Sequence, residues 1–85
     1  MLTIKVLGSG CANCKRLEQL ARKVVAELDV PAEVIKVTDP TQYADYGVLS
    51  TPGLVINEQT VSSGRIPSVA EITSFVTTAL AASDN

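Results

Sequence analysis

The amino-acid sequence predicts an α/β fold: a four-stranded mixed sheet with helices on both faces, its elements in the order β-α-β-α-β-β-α. Three observations carry this. Apolar and polar residues alternate over positions 2–7, apolar residues recur at three-and-four spacing over positions 17–28, and two short strand-like runs flank Asn57-Glu58-Gln59. A strand–helix–strand unit followed by a hairpin closes into one mixed sheet, with the first crossover parallel and right-handed.

In the first strand, Leu2, Ile4 and Val6 alternate with Thr3 and Lys5, the period-two pattern of a strand with one buried face. Gly8-Ser9-Gly10 ends it. A helix is expected from Cys11 or Ala12 to about Asp29. Leu17, Leu20, Ala21, Val24, Val25 and Leu28 form its apolar stripe, and Lys15, Arg16, Glu18, Gln19, Arg22, Lys23 and Glu27 fill a solvated face. Pro31 marks its stop. Residues 32–38, with Val34, Ile35 and Val37, make the second strand. Asp39 is the expected N-cap and Pro40 the first residue of a short helix to about Tyr46, ended by Gly47. Ser50-Thr51-Pro52-Gly53 is a turn into a third strand, Leu54-Val55-Ile56. Asn57-Glu58-Gln59 then reverses the chain into a fourth, residues 60–63. After a loop over 64–67, Ser68 and Glu71 have capping-box spacing, and Val69, Ile72, Phe75, Val76, Ala79 and Leu80 supply the apolar face of a last helix. From Ala81 onward the chain is expected to fray.

A chain of 85 residues suffices for one domain, residues 1–85, and is too short for two. Its net charge of −2, with seven scattered Lys and Arg, argues against nucleic acid, because a phosphate-binding domain carries a basic face. No run of about 20 apolar residues is present, so no membrane partner is expected. The opening Met1-Leu2-Thr3-Ile4-Lys5-Val6-Leu7 is too short and too interrupted for a secretory leader. The expected setting is cytoplasmic and the expected state a monomer.

The only two cysteines, Cys11 and Cys14, lie three positions apart. A disulfide between them closes so small a loop that chain entropy gives it only about 2 kcal/mol. Such a bridge is a poor staple, and in a cytoplasmic protein the pair reads as reactive. Their position sharpens the reading. Cys11 stands where the first strand hands over to the first helix, so unpaired N–H groups of the helix N-terminus point at its sulfur and favour the thiolate. Cys14, one turn on, is near enough to attack a mixed disulfide on Cys11. Cys11 is therefore the expected exposed nucleophile and Cys14 the more buried resolving thiol, with Lys15 adding positive charge nearby. A zinc site is not expected, because with no histidine and no third cysteine the chain offers two ligands where four are needed.

Gly8-Ser9-Gly10-Cys11-Ala12-Asn13-Cys14-Lys15 after the first strand, with Thr51-Pro52-Gly53 before the hairpin, resembles the small thioredoxin-like redox-active disulfide proteins of bacteria and archaea. The likeness in element order spans nearly the whole chain. The resemblance implies a thioredoxin-like fold and thiol–disulfide oxidoreductase activity, an electron-transfer role in cell redox homeostasis. It implies no cofactor beyond a redox-active Cys11–Cys14 disulfide, with Cys11 attacking and Cys14 resolving. It makes Pro52 a cis-proline whose bend exposes the backbone of Thr51 to an extended substrate strand, beside Gly10, Ala12 and Asn13. The partners it implies are disulfide-containing substrate proteins and a thioredoxin-reductase-like flavoprotein or another dithiol donor.

Departures from ordinary thioredoxins are equally plain. Those proteins carry Trp before the first cysteine, Gly-Pro between the two, and a buried Asp six residues before the first. Here Gly10, Ala12-Asn13 and Lys5 occupy those places. The usual proton relay is missing, which leaves the resolving step to water or to Lys5, a residue that otherwise reads as a lysine on an edge-exposed strand face. Glutathione use has no support: Ala12-Asn13 lacks the Tyr of glutaredoxins, Ser62-Ser63-Gly64-Arg65 is a degenerate match to their Gly-Gly-Asp stretch, and Arg65 reads as a surface residue. Tyr43 and Tyr46 are expected to cover the sheet. The alternative function is a soft-metal carrier, since copper chaperones put a CxxC in the same loop and thiolates suit Cu(I). That class runs β-α-β-β-α-β and favours Met-Thr before the first cysteine, and neither feature is found here.

Overall fold

Alternation along the first strand separates Leu2, Ile4 and Val6 from Thr3, Lys5 and Leu7, and each set seeds a separate apolar cluster. The structure is a computed structural model that describes residues 1–83. Its elements are β1 (Leu2–Leu7), α1 (Ala12–Glu27), β2 (Ala32–Val37), α2 (Pro40–Asp45), β3 (Gly53–Ile56), β4 (Gln59–Ser63) and α3 (Val69–Ser83). The strands lie in the order β2-β1-β3-β4. β1 runs parallel to β2, from Leu2 opposite Ala32 to Leu7 opposite Val37, and antiparallel to β3, with Leu7 opposite Gly53. β4 is antiparallel to β3, with a register shift at Leu54/Val55.

The hairpin turn needs only two residues, Asn57 and Glu58, both at positive φ (+49° and +69°), so Gln59 already belongs to β4. Turns of that hand match the natural twist of the strands they join. Asn57 also ties the turn to β1: its backbone N–H donates to the Thr3 carbonyl at 2.8 Å, and its Oδ1 accepts from the Thr3 N–H at 3.0 Å.

Helices α1 and α3 cover one face, where Leu17, Ala21, Val24 and Val25 meet Leu2, Ile4, Val6, Leu54, Ile56, Ile72 and Val76. On the other face α2 sets Tyr43 and Tyr46 against Leu7, Val37, Val48 and Val55. Asp39 caps α2 by accepting the Thr41 N–H at 3.0 Å, and Pro40 opens the helix. The end of α1 differs from expectation. It stops at Glu27 because Asp29 turns left-handed (φ +53°), with Asp29 N–H donating to Ala26 and Val30 N–H to Val25. That pair of bonds is a Schellman ending, so local hydrogen bonding closes the helix before Pro31 is reached. Leu28 and Val69, placed in apolar stripes by their spacing, are each 38% exposed at a helix terminus.

Residues 81–83 are helical, in keeping with the high helix propensity of Ala81 and Ala82; Asp84 and Asn85 lie outside the described residues. The start of α3 is a reciprocal capping box. Glu71 N–H donates to Ser68 Oγ at 3.2 Å, and Ser68 N–H donates to Glu71 Oε1 at 3.1 Å. Arg65 grips the same carboxylate through two bonds of 3.2 and 2.7 Å.

The Arg65 guanidinium, followed by the Ser68 N–H, holds the Glu71 carboxyl at about 2, against an ordinary 4.5. The folded value lies below the unfolded one, so this stabilisation is complete above about pH 4.5 and lost as the pH falls toward 2. In urea denaturation across that window, Glu71→Gln should flatten the acid-side loss of stability seen with the unaltered chain. Ser68→Ala should lower stability by about 1 kcal/mol at neutral pH in the same assay.

Candidate active site

The candidate site forms where β1 passes through Gly8-Ser9-Gly10 into α1. Cys11 takes the N-cap position in extended backbone (φ −79°, ψ 156°), and its sulfur accepts the Cys14 N–H at 3.0 Å. Its carbonyl accepts the Lys15 N–H at 3.1 Å, the first helical bond. A sulfur in the N-cap role satisfies one of the unpaired donors of the first turn. Cys11 and Cys14 are joined in a disulfide, their Cα atoms 5.2 Å apart. The two are unequal: Cys11 is exposed, whereas Cys14 is only 5% exposed.

Ala12 and Asn13 are exposed in the first turn, and Gly10 (φ +71°) faces open space. Gly8 is the crowded position. A Cβ there would overlap the Cys14 sulfur and lie 3.5 Å from the Thr51 side chain. Gly8 is thus the point at which Cys14 and the loop before β3 both close on β1. In that loop the Thr51–Pro52 bond is cis, Thr51 is exposed and Pro52 is buried. The Pro52 carbonyl accepts the Gly64 N–H at 3.0 Å, which ties the loop to the end of β4. In the sequence Gly8 was legible as part of the break after the first strand, but the atom that demands a glycine there was not.

Lys5 is not on an edge strand. β1 lies between β2 and β3, and the Lys5 side chain is 21% exposed. Its ammonium donates to Tyr46 Oη at 2.6 Å and to Glu58 Oε1 at 2.7 Å, and lies 5.2 Å from the centre of the Tyr46 ring. Tyr46 Oη donates to Glu58 Oε2 at 2.5 Å and closes the triangle. The Glu58 bond above all, then that to Tyr46, raises the Lys5 pKa, and the Lys5 bond chiefly lowers that of Glu58. Lys5 ties the central strand to α2 and the hairpin turn. Arg65 is likewise engaged with Glu71 at the surface.

Glu18 is the residue that pattern reading misplaced. Counted on the solvated face of α1, it is in fact only 14% exposed. It accepts two bonds from Arg22, at 2.9 and 3.0 Å, and lies 3.4 Å from Lys36 Nζ on β2. Those partners, Arg22 first, lower its pKa. Glu18 and Lys36 border a cavity of about 100 Å³ that also touches Val6, Gly8, Cys14 and Thr38. The available signal was its spacing, four residues after Cys14 and therefore on the same side of the helix. Among the described residues no three His, Cys, Asp or Glu side chains gather as a metal site, and no helix is long and apolar enough to cross a membrane.

Comparison with known proteins agrees with this geometry. The family model described as "Thioredoxin domain" matches residues 2–77. A thioredoxin of Methanocaldococcus jannaschii is 40% identical over 72 residues, 85% of this chain and 83% of its own length. One of Methanothermobacter thermautotrophicus is 39% identical over 72 residues, covering 85% and 94%. Among solved structures, thioredoxin 1 of Thermosipho africanus TCF52B superposes with a TM-score of 0.64 at 23% identity, over 98% of this chain and 99% of its own. A chloroplastic thioredoxin z reaches 0.69 at 21% identity, over 95% and 80%. These two likenesses establish the fold.

Gly8→Ala should be poorly tolerated, because the new methyl must displace the Cys14 sulfur or the strand. The expected destabilisation is about 1–3 kcal/mol, an overpacking cost, read as the shift in urea midpoint. Gly10→Ala meets no neighbouring atom and gives the matched control for a positive-φ glycine without the clash.

Proposed function

The chain belongs to the thioredoxin domain family and is a thiol–disulfide oxidoreductase, and from that premise we propose that Cys11 is its attacking thiol and Cys14 its resolving thiol. The observation that carries the assignment is their inequality. Cys11 is exposed at the helix N-cap with the Cys14 N–H aimed at its sulfur, an arrangement that favours a reactive thiolate, while Cys14 lies beneath it out of solvent.

In the reducing direction, the Cys11 thiolate attacks one sulfur of a substrate disulfide and expels the other as a thiolate. Cys14 then attacks Cys11 in the mixed disulfide, releasing the second substrate sulfur and leaving the Cys11–Cys14 disulfide. A thioredoxin-reductase-like flavoprotein or another dithiol donor returns it to the dithiol, and no resident cofactor enters the cycle. The substrates are disulfide-containing proteins, held in extended form against the backbone of Thr51, with Pro52, Gly10, Ala12 and Asn13 forming the surrounding surface. The protein acts as one domain, residues 1–85, as a cytoplasmic monomer. The soft-metal carrier is not favoured, given the family match and the strand order.

Two measurements test this. Thiol alkylation across graded dithiol buffers should give one reversible two-electron transition between about −300 and −180 mV. Absence of an intramolecular disulfide, with protection of both thiols by Cu(I), would point to the metal carrier instead. In trapping experiments Cys14→Ser should accumulate mixed disulfides on Cys11, and Cys11→Ser should accumulate few. Equal trapping by both variants contradicts the assigned roles.

A further inference from the structure

We propose that Glu18 accepts the Cys14 proton during the resolving step, through water held in the cavity behind the disulfide. The inference rests on the reading of Cys14 as the resolving thiol and extends it to a residue four positions on.

Cys14 is almost wholly enclosed, yet it must shed a proton before its sulfur can attack Cys11. It borders the cavity of about 100 Å³ between α1 and β2, a volume roomy enough for several waters. Among the described residues Glu18 supplies the cavity's one carboxylate; Thr38 and Lys36 supply further polar groups for a water chain. Spacing on the helix puts Cys14 and Glu18 about 5–6 Å apart at Cβ, one water's reach between side chains. Val6, which borders the cavity, alternates with Lys5, so Lys5 lies on the opposite face of the sheet and cannot take this part.

The charges that face Glu18 come from two elements. Arg22 on α1 holds Oε2 with two bonds, Lys36 on β2 lies 3.4 Å from Oε1, and Lys15 on α1 borders the same cavity. They keep the carboxylate ionised at neutral pH, so an acceptor is present whenever the mixed disulfide forms. The Lys36 side chain is 58% exposed and marks the opening to bulk water.

The step balances as follows. The Cys14 S–H bond breaks and its proton passes along water to Glu18, while the sulfur's electron pair forms the bond to Cys11 Sγ. The bond between Cys11 and the substrate sulfur breaks, and that sulfur leaves as a thiolate with the electron pair. Glu18 returns its proton to solvent, and the substrate thiolate is protonated there. The protein dithiol loses two electrons over the whole reaction, and the substrate disulfide gains them.

Stopped-flow reaction of the fully reduced chain with a chromophoric aromatic disulfide separates the two steps, since Cys11 releases the first equivalent of chromophore and Cys14 the second. Glu18→Gln should leave the first phase unchanged and slow the second on the order of a hundredfold, with a steeper rise toward alkaline pH as hydroxide takes over. Glu18→Asp, which keeps the carboxylate, should recover part of the rate. The unchanged first phase doubles as a check that the variant is folded. A second phase unaltered in rate and pH profile overturns the proposal, as does equal slowing of both phases. A second equivalent that persists in Cys14→Ser instead refutes the cysteine roles, and Glu18's part falls with them.

Discussion

The reactive end of this molecule depends on one close approach, that of the Cys14 sulfur to the backbone of Gly8. A side chain at position 8 would overlap the sulfur, and the same vacancy lets Thr51 come in beside it. Without that approach the first turn of α1 could not lie against the end of β1 with Cys14 beneath Cys11. The approach therefore makes the two cysteines chemically different: one sulfur is left at the surface as a helix cap, and the other is drawn into a cavity between helix and sheet. Interiors pack too tightly to absorb an extra methyl at such a point.

The two faces of the sheet stabilise the site in different ways. On the α1 and α3 face, continuous aliphatic contact from Leu2 to Val76 supplies most of the buried apolar surface, the dominant stabilising term in a chain this short. The α2 face has a smaller apolar cluster, and beside it the Lys5–Tyr46–Glu58 triangle joins strand, short helix and hairpin. Ion pairs with exposed partners contribute little by themselves. The triangle's importance is positional, since the loop that carries Thr51 and Pro52 begins directly after Tyr46. Thr60 Oγ1 donates to the Tyr46 carbonyl at 2.6 Å and adds a further tie at the same corner.

Much of this was legible from local pattern. Alternation in β1, the apolar stripe of α1, Asp39 with Pro40 at the start of α2 and the Ser68–Glu71 box at the start of α3 are all decided within a few residues, where backbone geometry and capping chemistry act. The cysteine pair was legible for the same reason, because a strand–helix junction is recognisable by itself. Less was legible wherever a residue's partner lay far along the chain. Glu18 shares its polar helix face with Arg22 and Lys23, and its spacing from Cys14 does not by itself show that β2 covers it while they stay in water.

The sequence by itself determined the order of elements, their approximate limits, the helix caps and the placing of a cysteine pair at a helix N-terminus. Each follows from periodicity, propensity or hydrogen bonds that reach four residues or fewer. Only the tertiary structure decided that β1 is an inner strand, that Lys5 meets Tyr46 and Glu58, and that Gly8 faces the Cys14 sulfur while Glu18 meets Lys36 at the border of a cavity. Strand order and cross-element contacts depend on which surfaces bury each other, and that is a property of the whole packed chain. A side chain's charge is written in the sequence; whether water or a facing strand lies beside it is settled when the layers close.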